Sequence, residues 1–192
     1  WSFNTSYTYG QSFVNNEGTS SVNASNWQFM EKVTNRNTVL RSQSDFSLGH
    51  RIQSYASKKF NYAKNKLATT VTLVYIGQSG NPISYTQSGN MVNDGVFNND
   101  LMYVPANKTE AQLMFSSSNT VNGVGYTAAQ QSELFWQFVE KNKYLSSRKG
   151  QFTERNGGRT PFAHQIDLKI QQDFNFNLKG RRRTLQIALD MF

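Results

Sequence analysis

The sequence predicts an all-β fold: an antiparallel transmembrane β-barrel, present in part as about five strands, with long extracellular loops containing a short helix. Three observations predict it. Five stretches alternate apolar and polar residues with period two, the signature of a strand with one face in each environment. Several of them reach or exceed about ten residues, where soluble sheets typically use five or six and a tilted bilayer crossing needs nine to eleven. The connections between them run long, short, long, short, as transmembrane barrels alternate extracellular loops with periplasmic turns.

The first stretch, WSFNTSYTYG, sets Trp1, Phe3, Thr5, Tyr7 and Tyr9 against Ser2, Asn4, Ser6 and Thr8. A long polar segment, 14 to 43, leads to DFSLGHRIQSYASKKF, where Phe46, Leu48, His50, Ile52 and Ala56 oppose Ser47, Gly49, Arg51, Gln53 and Ser57. A tight NYAKNK turn follows. LATTVTLVYIGQSGNPISY then places Leu67, Thr69, Val71, Leu73 and Tyr75 on the face expected to meet lipid, with Tyr75 near the outer interface. Thr70 and Thr72 fall on the other face, while Val74 and Ile76 there suggest packing against a plug or loop. After some eighty residues, PFAHQIDLKIQQDF opposes Phe162, His164, Ile166, Leu168 and Ile170 to Gln165, Asp167, Lys169 and Gln171. A short NFNLKGRRR link leads to RTLQIALDMF, with Leu185, Ile187, Leu189 and Met191 against Gln186, Ala188 and Asp190. A structureless connection of eighty residues is foreign to compact soluble domains. This one contains a predicted helix, TAAQQSELFWQFVEKNKYL, with Thr127 and Gln130 at capping-box spacing and Leu134, Phe135, Phe138 and Val139 as its packing stripe.

Composition narrows the classes. Apolar residues make up 37% and charged residues 17%, and 14 Phe, 9 Tyr and 3 Trp exclude a disordered chain. No run approaches the roughly 20 apolar residues of a spanning helix. The formal charge of +8 is scattered, apart from Arg181, Arg182 and Arg183, which are assigned to a periplasmic turn, so nucleic acid is not an expected partner. There are no cysteines, hence no disulfides or thiolate sites. No enzyme is expected: GQSGN misses the nucleophile elbow because Asn81 replaces its last glycine, and neither paired carboxylates nor a phosphate loop appear.

The segments HRIQSYASKKFNYAKNKLATTVTLVYIGQSGNPISY, NDGVFNNDLMYVP, YLSSRKGQFTERNGGRTPFAHQIDLKIQQDF and LQIALDMF, in that order and spacing, resemble the C-terminal barrel of TonB-dependent outer-membrane receptors of the Oar-like branch found in Gram-negative Bacteroidetes. The resemblance covers most of the chain from about residue 44. It implies a large barrel of about 22 strands in the outer membrane, plugged by an N-terminal domain and driven by TonB to import a substrate. Residues 1–192 are then expected to be its C-terminal part, without plug, TonB segment or closing strand. Implied partners are outer-membrane lipid and lipopolysaccharide, the protein's own plug, TonB and other outer-membrane subunits. Two alternatives stand beside active import: a structural or adhesion barrel without import, and a secreted soluble glycan-binding β-sandwich.

Candidate sites are few. In GNMVNDGVFNNDLMYVP, Asn90, Asp94 and Asp100 form a weakened calcium-like loop, since the family's Asp-x-Asn-x-Asp-Gly pattern has Asn90 and Val92 at its first two ligand positions; an Asn-rich turn is the plainer reading, and no other cofactor is expected. RNGGRTPF is a turn whose Arg155 and Arg159 either contact an anion or lipopolysaccharide phosphate or, as preferred, pair with loop carboxylates such as Glu154. Arg51, Asp167 and Lys169 are expected to line the wet lumen. His50 and His164 belong to the apolar face as interfacial or packed residues.

Overall fold

The computed structural model describes residues 1–18, 20–38 and 40–192. The fold is mostly β and antiparallel, and the chain divides into two compact units: Trp1–Gln11 with Leu48–Gly80 and Pro161–Phe192, and Ser12–Ser47 with Asn81–Thr160.

The first unit is one sheet of five long strands: β1 (Ser2–Gly10), β2 (Gly49–Tyr62), β3 (Leu67–Gln78), β4 (Ala163–Leu178) and β5 (Arg181–Met191). They pair in sequence order, every neighbour antiparallel. The sheet is open, with β1 and β5 as edges. At 9 to 16 residues the strands reach the length of about ten that sequence reading assigned to several of them.

Both tight connections lie at one end of the sheet. Residues 63–66 turn β2 into β3 with positive φ at Ala63, Lys64 and Asn65, and Lys66 N–H closes the turn on the Ala63 carbonyl. Between β4 and β5 the predicted link NFNLKGRRR is mostly strand. Pairing continues to Leu178↔Arg181, and only Lys179 and Gly180 turn, both at positive φ (49° and 73°), the two-residue hairpin whose twist suits a ladder. Arg181, Arg182 and Arg183 therefore open β5 instead of filling a turn.

The strand starts also differ from the periodic pattern. Gly49, at φ 71°, interrupts the alternation, and Ser47 N–H bonds back to the Ser44 carbonyl, so Phe46 and Leu48 precede β2. Phe46 stands 79% exposed in that turn.

The second unit folds around Met102, Val104, Val139 and Leu145, with Tyr85, Phe135, Trp136 and Tyr144 packed against them. Short ladders tie its segments: Phe13–Val14 with Ser42–Gln43, Pro82–Ile83 with Gly158–Arg159, Thr86–Gln87 with Asp100–Leu101, and Tyr103–Val104 with Gln151–Phe152. Among the described residues four helices complete it: α1 (Asn23–Gln28), α2 (Lys108–Leu113), α3 (Ala128–Lys141) and α4 (Lys143–Ser147). The α3 start is the predicted one: Gln130 N–H donates to Thr127 Oγ1 while Gln130 Oε1 accepts from Thr127 N–H.

The packing stripe of α3 is rotated from the expected one. Ser132 and Val139 are buried and Phe135 and Trp136 pack on the core, an i, i+3, i+4, i+7 face. Leu134 and Phe138 stand about half exposed. Because residues 81–160 have a core of their own, the length of this connection no longer argues against a water-soluble fold. That question falls to the sheet.

Candidate functional site

Residues directly opposite each other in an antiparallel ladder share a face, so the register assigns every sheet side chain. One face carries Ser2, Ser57, Thr72, Lys169 and Asp190 in one cross-strand row, Asn4, Tyr55, Val74 and Asp167 in the next, and Thr8, Arg51, Gln78 and Ala163 near the sheet's end. Arg51, Asp167 and Lys169 thus fall on one polar face. Lys169 pairs with Asp190 at 3.3 Å and Asp167 accepts from the Gln165 amide. Arg51 Nε is buried without a hydrogen-bond partner among the described residues.

The best-built polar cluster on this face was not anticipated. Asp173, buried, accepts Lys59 Nζ at 2.7 Å, Gln186 Nε2 at 2.8 Å and Gln171 Nε2 at 3.3 Å, tying β2, β4 and β5 together over β3. Ala68 is the intervening β3 residue, Asn61↔Ala68↔Asp173, and its small side chain lets Lys59 reach across. Sequence reading lacked the signal because the partners are 114 positions apart.

The opposite face is apolar and uncovered. Leu73, Ile166, Ile187, Leu189 and Met191 form its middle, with Ile166 at 62% and Leu189 at 58% exposure. Aromatic and imidazole rings gather at the end away from the hairpins. Tyr7 OH and His50 Nδ1 lie 2.7 Å apart, Tyr75 OH and His164 Nδ1 2.9 Å, and Tyr9 and Phe162 lean on the two imidazoles. Both histidines therefore contact neighbouring rings on the apolar face while remaining exposed. Towards the hairpins stand Trp1, Phe60, Tyr62, Phe174 and Phe176, with the Lys58 ammonium 4.4 Å above Trp1 and 4.7 Å above Phe60. Polar groups on this face satisfy one another: Thr69 and Tyr62 hydroxyls both reach Gln172 Oε1, and Thr5 bonds Ser54.

In the second unit the calcium-like loop has a different centre. Lys32 Nζ donates to Asp100 Oδ1 at 2.7 Å and Asn99 Oδ1 at 2.8 Å and lies 3.2 Å from Asp94 Oδ2. The Lys32 side chain is 1% exposed. Asp94 also takes Arg36 Nε at 2.8 Å, while Asp100 Oδ2 accepts Met91 N–H and Asn90 Oδ1 accepts Asp94 N–H. Asn90, Asp94 and Asp100 are brought together as expected, but their oxygens are engaged by an ammonium, a guanidinium and backbone amides. A calcium ion does not fit this donor set unless Lys32 leaves. Asn99 was a candidate oxygen donor from the sequence, but Lys32 and Arg36 escaped it because Lys32 lies 67 and 68 positions from its partners.

The electrostatics follow from the geometry. The Arg36 hydrogen bond, with Val96 N–H and Lys32, holds the Asp94 carboxyl far below the usual carboxylate range. Burial alone would raise Asp100, but Lys32 and the Met91 and Val92 amides outweigh it and lower it.

In the arginine turn Arg155 departs from its preferred reading. Glu154 pairs with Arg148 at 3.1 Å, while Arg155 donates to Ser42 Oγ at 2.6 Å and the Val14 carbonyl at 3.0 Å. Arg159 reaches Ser47 and Gln43. A Cβ at Gly157 would clash with the Tyr144 hydroxyl and ring, which explains a glycine at this position.

No family model, curated protein or solved structure matches this chain.

Two outcomes follow. Breaking a buried pair from one side costs about 3 kcal/mol or more, while removing both partners costs far less; Lys32→Met should therefore destabilise the protein by about that much, and adding Asp100→Asn should recover part of the loss in a denaturant double-mutant cycle. Both carboxyls titrate lower folded than unfolded, so their stabilisation is present above the unfolded value, about 3.9, and is lost as pH falls further through the folded values. Thermal melts should show stability dropping below about pH 4, and Asp94→Asn with Asp100→Asn should flatten that drop.

Proposed function

We propose that this chain is part of an outer-membrane transmembrane β-barrel, the barrel of a TonB-dependent, Oar-like transporter, and serves outer-membrane import. One observation carries the membrane part: the uncovered apolar face is bounded by aromatic rims at a bilayer's spacing. From His164 to Phe174 on β4, and from His50 to Phe60 on β2, about ten residues separate the rims. At about 3.3 Å per residue this is ~33 Å along the strand and, tilted by about 40°, ~25 Å along a membrane normal, the height of a barrel's apolar band.

The exposed apolar side chains of Leu73, Ile166, Ile187, Leu189 and Met191, spread across β3 to β5, support the same reading. Lys58, above two rim aromatics, suits an interfacial amphipathic side chain. The polar face, with Arg51, Lys59, Asp167, Lys169 and Asp173, is then the lumen wall, open to water and to a plug. TonB, the plug and the import cycle come from the resemblance alone. A barrel serving as structural or adhesion subunit shares the same sheet, and an upstream plug with a TonB segment separates import from it.

The test is extraction. In its native membrane the protein should resist buffer and high salt and dissolve in detergent, and Leu189→Arg should destabilise it by about 2–4 kcal/mol, whereas Gln165→Arg on the polar face should change little. Recovery in detergent-free buffer, or equal effects of the two substitutions, would sink the membrane reading.

A further inference from the structure

We infer that the second unit holds a binding pocket for an organic carboxylate that carries an apolar group. The inference rests on the pocket's own chemistry and goes beyond the membrane reading. A cavity of about 550 Å³ lies within this unit, inside the range of small-molecule sites. Its apolar wall includes Phe13, Met30, Leu40 and Leu101, and its cationic side is formed by Lys32, Arg41, Arg148 and Arg155.

These cations are not equivalent. Lys32 is neutralised by Asp94 and Asp100, and Arg148 by Glu154. Arg155 is only 7% exposed, yet its protein partners among the described residues are a hydroxyl and a carbonyl. A guanidinium has five donors, and Nη1 of Arg155 is left without a partner among them. Glu31 and Glu154 also line this cavity, and Glu17, Glu31 and Asp45 border an adjoining one that Arg155 touches; Glu154 is taken by Arg148, and none of the four forms an ion pair with Arg155 among the described residues. Asp45 is held by Asn156, and Glu17 by Ser44 and the Asp45 amide. Burying a charge without a counter-charge is unfavourable, so an anion entering the cavity gains what the protein does not supply.

Arg41 provides the second cation. Its guanidinium lies 4.6 Å over the Phe13 ring and has no carboxylate or hydrogen-bond partner among the described residues. Stacked on its face, a guanidinium still presents its N–H edge, and that planar fork matches a carboxylate in bidentate fashion. Inorganic phosphate satisfies the same donors but leaves the apolar wall empty, which is why the ligand is assigned an apolar part. A free aliphatic acid and an acylated amino acid share this chemistry.

Isothermal titration of the full chain in detergent with hexanoate, hexanamide, N-acetylleucine and phosphate tests the assignment. At least one organic acid should bind, hexanamide should bind at least about tenfold more weakly, and Arg41→Gln should weaken the acid about tenfold with an unchanged melting temperature. Preference for N-acetylleucine over hexanoate would identify an amide-linked carboxylate, and the reverse a free acid. Equal binding of hexanoate and hexanamide, phosphate binding without either organic acid, no binding at all, or an unaffected Arg41→Gln variant would each overturn it. Arg155→Lys, which keeps the charge and loses the fork, should also weaken binding. Solubility without detergent would defeat the membrane reading and leave this result intact.

Discussion

Strand pairing in the five-stranded sheet has a period of two, so a slip of one residue between any two strands would carry an apolar set onto the polar face and a polar set onto the apolar one. The observed register avoids this at each of the four ladders. Phe3, Ala56, Leu73, Leu168 and Met191 stand in one row, and Ser2, Ser57, Thr72, Lys169 and Asp190 in the next. The Lys179–Gly180 hairpin fixes one ladder by its turn geometry, and the Asp173 cluster spans two others, β2–β3 and β3–β4, by reaching across β3 to Lys59. The apolar face, the aromatic rims and the placement of Arg51, Asp167 and Lys169 all depend on that alignment.

The second unit relies on charge where the sheet relies on pattern. Its apolar core is small, and residues from its two sequence segments are joined by ionic and amide contacts: Lys32 and Arg36 with Asp94 and Asp100, and Asn156 with Gln43 and Asp45. Around Lys32, two cations face two carboxylates, so the cluster closes without external charge. Arg155 forms no ion pair among the described residues, its partners being a hydroxyl and a carbonyl. Two buried cations in one unit therefore differ in kind, one complete and one lacking a counter-charge.

Much of the sheet was legible in the sequence because period-two alternation is a local signal. Five strands and both faces follow from it, as does the Thr127 cap from its spacing to Gln130. What escaped was non-local or positional. Phe46 and Leu48 fit the alternation, but Gly49 at positive φ ends the strand before them. The α3 stripe read Leu134 and Phe138 as inward on hydrophobicity, while Ser132 and Trp136 occupy the packed face. The loop at Asn90, Asp94 and Asp100 showed its oxygens and concealed its cation, since Lys32 comes from another segment.

The central claim is that the face bearing Ile166, Leu168 and Ile170 meets lipid. Nitroxide labels placed singly at positions 164 to 171 of the protein reconstituted in phospholipid vesicles would report it through collision with oxygen, which concentrates in the bilayer, and with a water-soluble nickel chelate. The account predicts oxygen accessibility alternating residue by residue, high at 164, 166, 168 and 170 and low between, with nickel accessibility in the opposite phase. A flat profile, or one with nickel high at the even positions, would contradict it.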